Sequence, residues 1–182
     1  ILVMPDGFTF YGGSQYVNSV GTGRYEDYLI DELVPFVDAN FRTIPRADAR
    51  AVFGKSSGGF GSLIYGMRHP DVFGLIACHS GDLYYEYCYQ VEIPKYLNNL
   101  RKHGGSTRAM LKSFEKAPNK TMELVHMIMM AGIASCYSPN PRSPLGFDMP
   151  FDEHTGEMRH DVWKRWLAWD PLRMLPRYAN NL

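Results

Sequence analysis

A serine hydroxyl acts as a nucleophile only when the backbone lifts it clear of its surroundings and a base can take its proton. Residues 50–61 read Arg-Ala-Val-Phe-Gly-Lys-Ser-Ser-Gly-Gly-Phe-Gly and contain one candidate for that role. Gly54-Lys55-Ser56-Ser57-Gly58 is a G-x-S-x-G, the pattern of a nucleophile elbow, in which a strand turns so sharply into a helix that its serine projects above the sheet. Glycines at both ends remove Cβ atoms that would collide with the following helix around a strained residue. Only Ser56 has glycine on both sides at that spacing, since Ser57 has Lys55 two residues before it. Ser56 is therefore the candidate nucleophile. Gly54-Lys55-Ser56 also matches the tail of a phosphate-binding G-x-x-x-x-G-K-[ST] loop, but that motif needs glycine where the chain has Ala49.

The elements around the motif support the elbow. Ala51-Val52-Phe53 suits a buried strand, and the residues from Ser62 to Arg68 place apolar side chains at helical spacing until His69-Pro70 ends the helix. Ile1–Met4 reads as another buried strand, closed by the turn Pro5-Asp6-Gly7, and Leu75–Cys78 as a third, ending at His79-Ser80-Gly81-Asp82. Between them, residues 25–40 carry a helical stripe that Pro35 should kink or divide. Short apolar strands alternating with helices predict an α/β fold, a parallel sheet with helices on both faces, over residues 1–82. From Leu83 the pattern changes. Helices are predicted at 94–103, 107–117, 121–135 and 160–169, and Asp170-Pro171 reads as an N-cap opening another. A proline-rich loop spans Tyr137–Phe151, and residues 83–182 show no buried strand, so they read as a mostly helical cap insertion leading back to the core.

The chain has 182 residues, with 19 basic and 19 acidic side chains and no long run of either sign, which argues against nucleic acid or an anionic membrane surface as a partner. Cys78, Cys88 and Cys136 lack metal-ligand spacing, and no metal or other cofactor is implied. The crowded tyrosines at 84, 85, 87 and 89 and the tryptophans at 163, 166 and 169 read first as packing and second as a substrate platform.

Taken together, Met4-Pro5-Asp6-Gly7, Gly23–Tyr28 with Glu32-Leu33-Val34-Pro35, Gly54–Gly59 and His79-Ser80-Gly81 resemble the putative-esterase family of α/β-hydrolases. That group includes S-formylglutathione hydrolases, enterochelin esterases, feruloyl esterases and mycolyltransferases. The resemblance implies an α/β-hydrolase-type sheet and a serine esterase acting on a small-molecule ester through an acyl-enzyme on Ser56. It implies an oxyanion hole formed by the backbone N–H groups of Ser57 and Phe8. An acyltransferase of the same fold and a catalytically inactive binding homologue are the alternatives. Lys55 departs from the apolar residue usual at its position and receives no role.

The triad partners are the gap. The fold's chain order is Ser, then an acid after a later strand, then His. Each of His69, His79, His103, His126, His154 and His160 has an ordinary reading, and His160 with Asp148 or Asp152 is the one arrangement that fits the order. The resemblance therefore leads to the expectation that the chain is a fragment whose triad Asp and His lie beyond Leu182.

Overall fold

The computed structural model describes residues 1–182. Ile1–Met4 is not a strand. It lies exposed with no ladder partner, and a strand without one would leave its backbone groups unpaired. Two miniature hairpins follow: β1 (Phe8–Thr9) with β2 (Gly12–Gly13), and β3 (Asn18–Ser19) with β4 (Gly23–Arg24). The chain then coils continuously from Tyr25 to Asn40. It begins as α1 (Tyr25–Asp27), widens into a π-type stretch over Tyr28–Leu33 and returns to α2 (Val34–Asn40). Pro35 lies just inside α2 and has no N–H to bond the preceding turn, and the π-type stretch before it divides the helix, one of the two outcomes expected of that proline.

β5 (Ala51–Lys55) and β6 (Leu75–His79) form the parallel sheet, in register from Ala51 opposite Leu75 to Lys55 opposite His79, with α3 (Ser57–Arg68) as their crossover. These strands were expected to be buried on both faces. Instead α3 covers one face, and outward residues such as Phe53, at 59% exposure, and Leu75, at 56%, lie open. The free edge of β5 borders a cavity of about 830 Å³ whose other wall includes Ile1–Pro5.

The helical half contains α4 (Tyr85–Cys88), α5 (Ile93–Lys102), α6 (Thr107–Lys116), α7 (Met122–Tyr137), α8 (His160–Leu167) and α9 (Pro171–Tyr178). Local sequence starts several of them: the side chains of Ser106 and Thr121 accept the N–H groups of Ala109 and Leu124 at the heads of α6 and α7. α7 runs through the core from Met130 to Tyr137, where every residue is buried, while its first half leaves Met122, Val125 and Met129 open. One cluster of buried side chains joins Val17, Phe60 and Ile64 to Tyr85, Met127, Tyr137, Phe151 and Trp166. The helices therefore share a core with α3 rather than forming a separate body. The tyrosines divide accordingly, Tyr85 and Tyr89 inward and Tyr84 and Tyr87 outward.

One carboxylate fastens the end of the chain to its middle. Asp170 is fully buried and accepts the N–H groups of Tyr84, Tyr85 and Leu172, each at 3.0 Å. It caps α9 and fixes the entry to α4 at once. Asp170→Ala would strand these donors, and the urea midpoint should report a loss of about 2–4 kcal/mol. A loss below about 1 kcal/mol would mean that solvent replaces the carboxylate there.

Candidate active site

Ser56 occupies the one-residue junction between β5 and α3. Its φ of 55° and ψ of −122° lie outside the regions open to ordinary L-residues, the strain expected of a residue forced to reverse the chain within one position. Its N–H donates to His79 O at 3.0 Å, extending the ladder by one bond, and its C=O accepts the N–H of Phe60 at 2.9 Å. The flanking glycines play unequal parts. A Cβ on Gly54 would lie 2.5 Å from the backbone carbon of Gly58, whereas one on Gly58 would meet nothing within 4 Å. The collision expected of both belongs to Gly54 alone, with Gly58 as the surface it strikes. A third glycine matters more than the pattern suggested: a Cβ on Gly59 would lie 2.8 Å from the Cα of Gly81. α3 thus rests directly on the loop that leaves β6.

That contact delivers a residue the sequence reading missed. Asp82 follows Gly81, and its Oδ1 accepts the Ser56 hydroxyl at 3.3 Å. Its Oδ2 accepts the Tyr89 hydroxyl at 2.9 Å, and Tyr89 Oη in turn accepts from Gln15 Nε2 at 3.0 Å. Burial above all, then Tyr85 and the Asp82 carboxylate, raises the Tyr89 phenol well above its ordinary pKa, so it remains a donor. Burial, reinforced by Asp82 and Asp170, likewise pushes the Cys88 thiol to about 12 and leaves it protonated at neutral pH. Gln15 and its neighbour Tyr16 both have positive φ, 52° and 57°. The Tyr16 ring is wedged where a Cβ on Gly7 or Gly61 would reach it at 2.9 Å, and its carbonyl accepts the Tyr65 hydroxyl at 2.6 Å. A signal for Asp82 was present: parallel neighbours end at the same edge, so the residues just past His79 had to emerge beside Ser56.

These groups border a cavity of about 370 Å³. Tyr11, Gly12, Gly13 and Gln15 form one wall, Ser56, Ser57 and Asp82 lie at the sheet end, and Tyr89, Tyr96, Met127 and Met130 come from the helices. Ser57, the first residue of α3, has an N–H with no intrahelical partner, as any first-turn amide does. Phe8 does not join it. Phe8 is 80% exposed, lies outside this cavity, and gives its N–H to Asp6 Oδ1 at 2.9 Å in a local turn. The Asp-Gly turn that suggested Phe8 instead closes on itself. Lys55 ends β5 as a strand residue, so no phosphate-wrapping loop precedes Ser56.

The histidines are dispersed. His69 and His103 pair with Glu26 at 2.7 Å and Glu123 at 3.2 Å, His79 pairs with Lys55 in the sheet, and His154 and His160 are exposed far along the chain. His126 borders the cavity without a hydrogen bond to Ser56. The proposed partners of His160 are committed elsewhere: Asp148 binds Arg165 at 2.9 Å, and Asp152 accepts the N–H groups of His154 and Thr155 at 2.8 Å. No cluster of His, Cys, Asp and Glu side chains forms a metal site, and no helix is long and apolar enough to cross a membrane.

Residues 8–178 match the profile of a family described as "Putative esterase". The chain belongs to this family. It is 44% identical over 82 residues to an esterase of Mycobacterium tuberculosis, covering 44% of the chain and 18% of that protein. It is also 37% identical over 86 residues to an endo-1,4-beta-xylanase/feruloyl esterase of Xylanibacter ruminicola, covering 46% of the chain and 12% of that protein. A Bacillus subtilis protein of uncharacterized function is 28% identical over 83 residues, 46% of the chain and 30% of its own length. The chain thus spans less than a third of the length of each of these relatives.

The two glycines of the motif should respond oppositely to the same added methyl group. Gly54→Ala should destabilise the protein by about 2 kcal/mol or more, because backbone cannot yield as a side chain can. Gly58→Ala should leave stability unchanged or raise it by up to about 1 kcal/mol, since alanine favours a helix over glycine. Thermal denaturation of both variants decides the matter, and equal losses would refute the asymmetry.

Proposed function

We propose that this family member is a serine ester hydrolase whose nucleophile is Ser56. The observation that carries the reading is the backbone of Ser56, held at positive φ where β5 meets α3, with its hydroxyl bordering a cavity. In the proposed reaction Ser56 Oγ attacks the carbonyl carbon of a carboxylic ester and the alcohol leaves. Water then cleaves the acyl-enzyme, releasing the acid. The charge that develops on the carbonyl oxygen meets the Ser57 N–H and the positive end of α3, where a preorganised donor is worth about 10²–10³ in rate. The printed names of the relatives, an esterase and a feruloyl esterase, support ester cleavage as the reaction class.

Asp82 is not the base in this reading. A carboxylate lacks the second nitrogen with which histidine takes the serine proton on one side and passes it on to the leaving group. The six histidines make no hydrogen bond to Ser56, and none is assigned that task.

The test is covalent. A fluorophosphonate probe applied to the full-length protein should modify Ser56, as read by mass spectrometry of the digested adduct. Ser56→Ala should abolish labelling and lower ester hydrolysis by about 10³-fold or more. Labelling at Ser57, or hydrolysis that survives the substitution, would overturn the assignment.

A further inference from the structure

We infer that the groove between α5 and α7 binds the acyl limb of the substrate in extended form, and that the Asn99 amide donates to an acceptor oxygen about 10 Å along it. The inference rests on Ser56 as the nucleophile and names the class of ester that nucleophile accepts: a slender, mostly apolar acyl chain with an ether, carbonyl or hydroxyl oxygen near its far end.

The direction of the groove follows from what ties its two helices. The C-terminal end of α7 meets the first turn of α3, where the rings of Tyr137 and Phe60 lie 5.9 Å apart. Its N-terminal end is bound to the end of α5, where Lys102 Nζ donates to Glu123 Oε2 at 2.7 Å. The cavity that begins at Ser56 therefore runs away from the sheet between two antiparallel helices. On α5 it is bordered by Glu92, Lys95, Tyr96 and Asn99, spaced as one helix face. Two turns separate Glu92 from Asn99, about 10 Å at 1.5 Å per residue. An extended chain advances about 3.4 Å for every three bonds, so that distance corresponds to about eight or nine bonds.

The walls say what fits. Tyr96, Met127 and Met130 are buried along the groove, and Tyr96 Oη is already engaged with Thr107 Oγ1 at 2.8 Å, so all three present apolar surface. Unbranched, adaptable methionines suit a flexible chain. Asn99 supplies the polar point at the far end. It is 8% exposed, and its Oδ1 accepts Lys102 Nζ at 3.1 Å. An ammonium can only donate, so the amide oxygen faces Lys102 and the NH2 group turns to the opposite side, toward the cavity that Asn99 borders. The other polar groups there stand on the rim: Lys95 pairs with Glu92 at 3.5 Å, and His126 is exposed. The acyl limb is the one that stays bonded to Ser56 while the alcohol leaves and water attacks. A groove bridged at its far end by Lys102 and Glu123 suits the limb that stays.

Two matched pairs of p-nitrophenyl esters test this with the full-length protein, below the concentrations at which they aggregate. The 8-methoxyoctanoate and the decanoate have equal length and differ by one oxygen, eight bonds from the carbonyl carbon. The 4-methoxybutanoate and the hexanoate place the same difference four bonds away. In the wild type kcat/KM should rise from butyrate to decanoate by about tenfold or more. The methoxy-to-alkyl ratio should be about fivefold or more higher for the long pair than for the short one. Asn99→Asp keeps an oxygen for Lys102 and removes the donor, and Asn99→Leu removes both; each should bring the long-pair ratio down to that of the short pair. Fluorophosphonate labelling of Ser56 reports that each variant is folded, and His126→Leu should keep the advantage. A flat dependence on chain length would overturn the groove. Equal ratios for the two pairs, an advantage that survives Asn99→Asp, or one lost in His126→Leu would overturn the role of Asn99, in each case with the nucleophile intact. A wild type that neither labels at Ser56 nor hydrolyses any of these esters would overturn the nucleophile and the inference with it.

Discussion

Everything at the sheet's end depends on backbone touching backbone. Gly54 lies against Gly58 and Gly59 against Gly81, at separations that exclude a Cβ. The first contact lets the chain reverse between β5 and α3 within one residue, which is what forces Ser56 into its strained conformation. The second seats α3 on the loop after β6 and so brings Asp82 to the same place. Side chains with rotatable bonds would blur that placement. Four glycines leave nothing to rotate there, and main-chain contact sets where the backbones of Ser56 and Asp82 meet.

Such strain persists only where the surroundings over-determine it, and here the helical half does so. Tyr89 reaches Asp82 from a cluster in which Tyr85 stacks on Tyr137 and Trp166 meets Tyr137 edge-on: Tyr85 Oη donates to Tyr137 Oη at 2.9 Å, and Trp166 Nε1 donates to Ser138 Oγ at 2.8 Å. Asp170 ties the same region to the end of the chain. The loop carrying Gln15 is pinned on its far side by Ser19 Oγ donating to Ser135 O, and by a Gly21 that sits against that same carbonyl. The helices therefore serve the site from a distance, fixing the tyrosine and the loop between which Ser56 and Asp82 lie.

Much of this was legible in the sequence because it is local. The sharp strand-to-helix turn at Ser56, the crossover helix, the parallel pair and the helices near 94, 107, 121 and 160 each announce themselves through spacing, caps or glycine. What escaped was set by tertiary partners. Ile1–Met4 has the composition of a strand, yet composition cannot say whether a neighbour will pair with it. Burial of Phe53 and Leu75 was inferred from their apolar character, and depends on a second covering layer that residues 1–182 do not place on that face. Phe8 was placed by analogy with an Asp-Gly turn, and the Asp6 carboxylate took the very N–H the analogy needed. Asp82 drew no notice because an aspartate after a strand is usually a turn residue, and its meaning came from the loop packing beneath α3.

The most direct measurement of the account is a crystal structure of the full-length protein after reaction with diethyl p-nitrophenyl phosphate. The phosphorus should be bonded to Ser56 Oγ, with the phosphoryl oxygen about 2.7–3.1 Å from the Ser57 nitrogen. Gly59 and Gly81 should remain in backbone contact, and Asp82 should lie beside the adduct with Tyr89 still donating to it. An adduct on another residue, or a phosphoryl oxygen turned away from the start of α3, would contradict the account.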